Sequence, residues 1–397
     1  MRITRIEAFP VRVPLKPQRH MVSALGRHEV SEYVLVRVST DAGIDGVGEA
    51  TVLPQWSGET VWGAQALIER ILAPHLVGRD PTDILSVANL MDQAAVDNWF
   101  AKSAIEMACW DIQGKELQKP VYQLLGDVVV SLASLSQPHE PGQPMHYDVQ
   151  PAPVRPRKIR CRYSMPAYAP EQARRRATEL IAAGFDTIKI KVGTSPEADI
   201  ERVRAVREAI GSEPAIVIDA NGGYDDQTAI EVAGELEDCQ VALFEQPTPR
   251  GDFEAMARVR KAIGPPVMAD DICFDMIDAV ECVRHKACDV ISVYPGKNGG
   301  IRKSQEIVDF AARYGVPCTI GSNLELDIAS AAMCHLVVGC PNMSVETYPG
   351  DIMGPDYHAF SVVKEPLDIQ GPFITTPDGP GLGVDVDWQV VEANRLK

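Results

Sequence analysis

From Ile159 onward the chain repeats one unit, a short apolar strand followed by a helix. Strands are predicted at Ile159–Ser164, Asp186–Gly193, Ala215–Asp219, Val241–Glu245, Val267–Asp270, Asp289–Val293, Pro317–Gly321 and Met343–Glu346. Helical patterns fill the intervals between them, the first opened by Pro170 and closed by Gly184. Such alternation predicts a (β/α)8 TIM barrel. Five successive strands end in, or just before, an ionisable residue: Lys191, Asp219, Glu245, Asp270 and Lys297, spaced by 28, 26, 25 and 27 residues. One strand–helix unit of a barrel of roughly 250 residues has about that length. Equal spacing therefore puts these side chains at equivalent positions on one rim, the C-terminal rim where barrels carry catalytic residues.

The strand at Asp186–Gly193 holds two lysines, Lys189 and Lys191. Residues i and i+2 of a strand share a face, so the two ammonium groups project together. Alone, they would read as protection of an exposed strand edge. Inside a closed barrel they face Asp219, Glu245 and Asp270 from neighbouring strands. Any one of these carboxylates could be a structural ion pair. Three together repel unless a cation is shared, and an all-oxygen set suits Mg2+ or Mn2+ better than zinc. Lys191 and Lys297, on strands four places apart in a ring of eight, flank the position of a bound substrate. A lysine beside another cation loses basicity and becomes usable as a general base. The expected chemistry is removal of the proton α to a carboxylate, with the resulting enediolate stabilised by the cation.

The first part of the chain differs. Met1–Val13, Glu32–Ser39 and Gly46–Ala50 read as strands, with a turn at Asp41–Gly43, and residues 59–125 have a helical pattern. Ser103-Ala-Ile-Glu106 has the form of a capping box. The polar stretch containing Gln18, Arg19, His20, Ser23 and His28 is a connector or a lid over the substrate. An α+β capping domain is expected over residues 1–130, a Pro-rich linker over 131–158, and the barrel over 159–366. The tail 367–397 is expected to return to the capping domain. With 38 basic and 55 acidic residues the net charge is −17, which argues against nucleic acid and anionic membrane as partners. The nine cysteines have no zinc or disulfide spacing, and the first twenty residues lack a signal-peptide core. A cytoplasmic homo-oligomer acting on a small-molecule carboxylate is expected.

Lys189-Ile-Lys191, Asp219-Ala-Asn221, Glu245-Gln-Pro247, Ala269-Asp270-Asp271 and Lys297-Asn-Gly-Gly300, in this order, resemble the motifs of the enolase superfamily, muconate lactonizing enzyme subgroup. Ser103 to Gly126, with Trp110-Asp111 and Leu124-Leu125-Gly126, is similar to that family's capping domain. The resemblance spans nearly the whole chain. It implies Mg2+ on Asp219, Glu245 and Asp270, Lys191 and Lys297 as the acid/base pair, and Lys189 as an electrostatic helper. It also implies that Glu325, in Gly321-Ser-Asn-Leu-Glu325, lies near the substrate together with Ser322 and Asn323; Glu325 is equally readable as a carboxylate at a helix N-terminus. The expected activity is muconate cycloisomerase-like, with amino-acid-derivative racemase or epimerase and acid dehydratase as alternatives. A non-catalytic metal-binding barrel and a metal-dependent aldolase are the readings of other kinds. No histidine falls at the end of strand seven, which reads Thr319-Ile-Gly-Ser322, so the mandelate racemase subgroup does not fit. Departures occur at Asp271, where glutamate is common, and at Tyr294-Pro-Gly296, where an apolar or lysine-containing segment is common. Specificity is expected from the His20–His28 stretch and from Pro54-Gln-Trp56-Ser57.

Overall fold

The computed structural model describes residues 1–126, 129–130, 149–150 and 156–397. Most of the expected Pro-rich linker, 131–158, lies outside the described residues; Val149–Gln150 within it pairs antiparallel with Val129–Val130 just before it.

The capping domain begins with three antiparallel strands, Ile3–Pro14, Val30–Thr40 and Asp45–Val52, with the middle strand paired to both others. Their inner face is covered by the helix Trp99–Leu117, which is buried on nearly every side. Gly46 and Gly48 make that contact possible. A Cβ on Gly48 would stand 1.8 Å from Ala104 O, and one on Gly46 2.0 Å from Ala108 O. Gly48→Ala must therefore push strand and helix apart, at a cost of about 3 kcal/mol. Urea unfolding should show a lower midpoint at unchanged slope; an unchanged midpoint would mean the contact yields freely.

Two sequence expectations are corrected in this domain. Residues 21–28 are neither loop nor simple connector but a short hairpin, Met21–Ser23 with Gly26–His28. It is tied to the barrel where Ala167 N donates to Val22 O at 2.8 Å. Ser103-Ala-Ile-Glu106 is not a capping box, because it lies inside the helix whose N-cap is Asn98. Glu106 caps a different helix. Its carboxylate accepts from Ile301 N at 2.8 Å and Arg302 N at 2.9 Å, at the start of the barrel helix Ile301–Arg313, and from Trp110 Nε1 at 2.8 Å. Glu49 does the same for the next barrel helix, accepting from Leu326 N at 2.7 Å and Ala329 N at 3.0 Å. Two buried carboxylates of the capping domain thus satisfy the free N–H groups at the starts of two barrel helices, where the helix dipole also favours them. The cap is docked by backbone recognition as well as by apolar packing.

The barrel strands form one parallel, seven-stranded sheet in sequence order: Tyr163–Met165, Thr187–Lys191, Ala215–Asp219, Val241–Glu245, Val267–Ala269, Val290–Val293 and Cys318–Ile320. The expected first strand, Ile159–Ser164, is divided at Cys161–Arg162. Lys158–Arg160 leaves the barrel to pair with Phe373–Thr375. The expected eighth strand at Met343–Glu346 is absent. An irregular segment closes the ring instead, giving Ser344 N to Cys318 O (2.7 Å) and Asp351 N to Ile320 O (3.1 Å) on one side. On the other side Arg162 N donates to Gly350 O (2.8 Å) and Gly350 N to Arg160 O (3.0 Å). The tail splits between the two halves: Ile369–Gln370 and Phe373–Thr375 extend the Lys158–Arg160 pairing, and Leu396 N reaches Pro10 O at 2.8 Å. Among the described residues no helix is long and apolar enough to cross a membrane.

Candidate active site

Strand register brings the charged rim together. Lys191, Asp219 and Glu245 are direct partners across the second, third and fourth strands. Lys191 Nζ donates to Asp219 Oδ2 at 2.6 Å and to Asn221 Oδ1 at 2.7 Å. Lys189, two residues earlier on the same face, lies 3.3 Å from both Asp219 and Glu245 and 2.8 Å from Asp351. Across the ring, Lys297 sits in the short helix Pro295–Asn298 beyond the sixth strand. Its Nζ donates to Asp270 Oδ1 (2.9 Å), Asp270 O (3.0 Å) and Ser292 O (2.7 Å).

The two lysines are not equivalent. Lys297 is fully buried with three acceptors for its three N–H bonds, whereas Lys191 is 12% exposed with two. Lys191 therefore retains one N–H position toward the pocket. Lys189 is surrounded by three carboxylates. Burial opposes its charge, but Asp351, Glu245 and Asp219 outweigh that and raise its pKa. It is thus fitted to hold positive charge, not to accept a proton.

The carboxylates show the strain of crowding. Burial and the charge of Asp219 push Glu245 up to about 7, against the pull of Lys189 and Arg162. Asp219 goes the other way: burial would raise it, but Lys191 and Lys189 hold it below the usual range. As placed, each carboxylate is turned onto a cationic side chain, and among the described residues no three metal-ligating side chains already converge on one point. The donors nevertheless fit a hard divalent cation. They are all carboxylate oxygens, they project from three adjacent strand ends, and Glu245 is raised by burial and then by the like charges of Asp219 and Asp270.

Of the other expected site residues, Trp56, Ser322 and Asn323 line the same pocket as Lys189, Lys191, Asp219 and Asp270. Glu325 does not line it, and neither do the buried Glu245 and Lys297. Glu325 is buried behind the wall, accepting from Ser322 Oγ at 2.6 Å and Asn323 N at 2.8 Å, and burial raises its pKa to about 7. Its place is therefore to brace the loop after the seventh strand. Trp56 reaches the rim from the cap, where its Nε1 donates to Asp271 and its ring stacks on Tyr294 at 6.0 Å. The hairpin contributes Arg27 and His28 to the pocket.

Three residues were missed by sequence reasoning. Arg162, fully buried, donates to Glu245 Oε2 at 3.0 Å and supplies charge beneath the carboxylates. Asp351 accepts from Ser164 Oγ at 2.7 Å and holds Lys189. Both Asp351 and Ser164 were within reach of the spacing argument. Counting on from Lys297, the next steps of 28 and 26 residues land on Glu325 and Asp351, and 27 residues before Lys191 stands Ser164.

The chain matches the model of the mandelate racemase/muconate lactonizing enzyme N-terminal domain over residues 4–126 and that of the enolase C-terminal domain-like family over 172–390. The architecture, a capping domain on a modified TIM barrel, and these matches make it a member of the mandelate racemase/muconate lactonizing enzyme family of the enolase superfamily. It is 32% identical to a hydrophobic dipeptide epimerase of Enterococcus faecalis, over 87% of this chain and 89% of that one. A crystal structure of the dipeptide epimerase from that organism, complexed with Mg and the dipeptide L-Leu-L-Tyr, superposes with a TM-score of 0.86 at 29% identity, covering 97% and 100% of the two chains. An N-succinyl-L-Arg/Lys racemase of Bacillus cereus is 29% identical over 99% of this chain and 97% of its own length. Its crystal structure gives a TM-score of 0.89 at 26% identity, covering 100% and 99%. Muconate cycloisomerase 1 of Rhodococcus opacus is 28% identical over 98% of this chain and 97% of its own. These relatives divide between cycloisomerases and epimerases or racemases.

Proposed function

We propose that this chain is a divalent-metal-dependent isomerase or lyase that moves the proton α to a carboxylate. The observation that carries this reading is the pair Lys191 and Lys297, held by Asp219 and Asp270 on opposite sides of one rim. Asp219, Glu245 and Asp270 would hold Mg2+, as the Mg complex of the E. faecalis epimerase supports; Mn2+ suits the same oxygens. Bound there, the cation supplies positive charge to offset what a substrate carboxylate gains as its α-proton leaves.

The chain's own residues do the rest. Lys191, with an N–H position open to the pocket, exchanges a proton with one face of the α-carbon. Lys297 serves the other face once the substrate draws it from its backbone acceptors. Lys189 stays charged and, with Arg162, balances the rim carboxylates. Ser322 and Asn323, braced by Glu325, and Trp56, braced by Asp271, close the walls and exclude water. A cycloisomerase of the muconate type, an amino-acid-derivative epimerase and an acid dehydratase all share this step. The two-sided lysine pair favours racemisation or epimerisation, because inversion at one carbon needs a proton donor and an acceptor on opposite faces. The nine cysteines, all buried and free, support a cytoplasmic setting.

The test is proton NMR in D2O with Mg2+, offering L-Ala-L-Glu, L-Leu-L-Tyr, N-succinyl-L-lysine and muconolactone. At least one should lose its α-proton signal; a ligand that binds while none exchanges would leave only a non-catalytic metal-binding barrel. Borohydride should trap no Schiff base on Lys191 or Lys297, and trapping would favour a lysine-imine aldolase over the metal-assisted step. Trp56→Ala should lower kcat/KM about tenfold with Mg2+ affinity unchanged, through loss of the pocket wall. No change in KM or kcat would remove Trp56 from the site.

A further inference from the structure

Tyr294 stands immediately after the sixth strand and three residues before Lys297. It lines the rim pocket yet is only 1% exposed, and its hydroxyl has no hydrogen-bond partner in the protein. The other four buried tyrosines are all satisfied. Tyr33 donates to Leu324 O, Tyr224 to Asp199 and Tyr357 to Ser164 O, and Tyr163 accepts from Arg176. A buried hydroxyl without a partner is costly and rare.

The ring is held firmly in place. Trp56 stacks on it with planes 6° apart, and Lys297 Nζ lies 4.8 Å from its centroid. The seventh strand is cut back to admit it: a Cβ on Gly321 would fall 2.7 Å from Tyr294 Cε1 and 2.3 Å from Ser292 Oγ. So the fold commits a stacked partner, a cation and a glycine to one phenol, and leaves its polar end unused.

We propose that the Tyr294 hydroxyl is a substrate contact, donating a hydrogen bond to a carbonyl or carboxylate oxygen of the substrate on the Lys297 side of the α-carbon. This rests on the proposed proton transfer and adds a specificity-determining residue to it. Burial, with the negative charge of Asp270, Glu325 and Asp271, keeps the phenol protonated, so it serves as a donor and not as a base. A neutral donor at this point selects for substrates with an oxygen acceptor there, since an analogue without one leaves the hydroxyl unpaired.

Tyr294→Phe removes that oxygen and nothing the protein itself uses. Its melting temperature and Mg2+ affinity should match the wild type, while kcat/KM for whichever of the four probes above the wild type exchanges falls about tenfold to a hundredfold. Equal kcat/KM in the two enzymes would overturn the contact and leave the proton-transfer reading standing. A lowered melting temperature would also overturn it, by showing that the hydroxyl serves the fold. A probe that the wild type binds with Mg2+ present, while none exchanges its α-proton, would remove the proton-transfer reading, and this inference with it.

Discussion

Lys191→Ala and Lys297→Ala should each lower α-proton transfer about a hundredfold to ten-thousandfold, the range of a positioned general acid or base. The two losses should differ in kind. Each variant is expected to lose exchange of the proton from one stereoisomer and to retain a residue of exchange with the other. Proton NMR in D2O of the separate enantiomers or epimers reads this directly, and full activity in either variant would break the two-lysine scheme. The variants should also differ in stability. Lys191 is near the pocket surface, and without it Asp219 keeps Lys189 at 3.3 Å. Lys297 is fully buried, and its loss leaves Asp270 Oδ1 and the carbonyls of Asp270 and Ser292 without their donor. Lys297→Ala should therefore melt several degrees lower, because buried acceptors lose their partner, and Lys191→Ala should melt close to the wild type.

Asp219→Asn and Glu245→Gln should both weaken Mg2+ binding by more than about a hundredfold, measured by calorimetry on the protein without substrate. Glu245→Gln has a second consequence. Glu245 is the carboxylate on which Arg162 and Lys189 converge, and neutralising it leaves two buried cations short of a counter-charge, so stability falls as well. Asp219→Asn removes a group that Lys191 and Lys189 already hold in its ionised form, with the same sign. Unaltered Mg2+ affinity in both variants would place the cation elsewhere.

The barrel and its rim were legible because strand ends recur at a near-constant interval, and because five charged residues recurring together at those ends fit one rim better than five separate structural ion pairs. Lys191, Asp219, Glu245, Asp270 and Lys297 followed from this. The rim was cut short at Met343–Glu346, where apolar alternation imitates a strand. The ring in fact closes through an irregular segment ending at Gly350–Asp351, held by backbone bonds to both neighbours, and irregular backbone has no periodicity to read. Arg162 was hidden for a related reason. It lies between two short strands, and its buried partner is 83 residues away. Ser103–Glu106 misled because a local capping pattern cannot reveal that Glu106 caps a helix 195 residues downstream. The Met21–His28 hairpin lacks alternation of apolar and polar residues, so only its anchoring to Ala167 and to the pocket reveals it. In each case the missing information is tertiary, a partner distant in sequence.

The central claim, that rim carboxylates and lysines together move an α-proton, is tested most directly by following solvent exchange as the metal is withdrawn and restored. Wild-type enzyme with its best carboxylate probe in D2O should fall to background exchange when EDTA removes the cation, and should recover on addition of Mg2+ with the rate saturating as the site fills. Exchange that persists without the cation, or a restored site that binds the probe and exchanges nothing, would contradict the account.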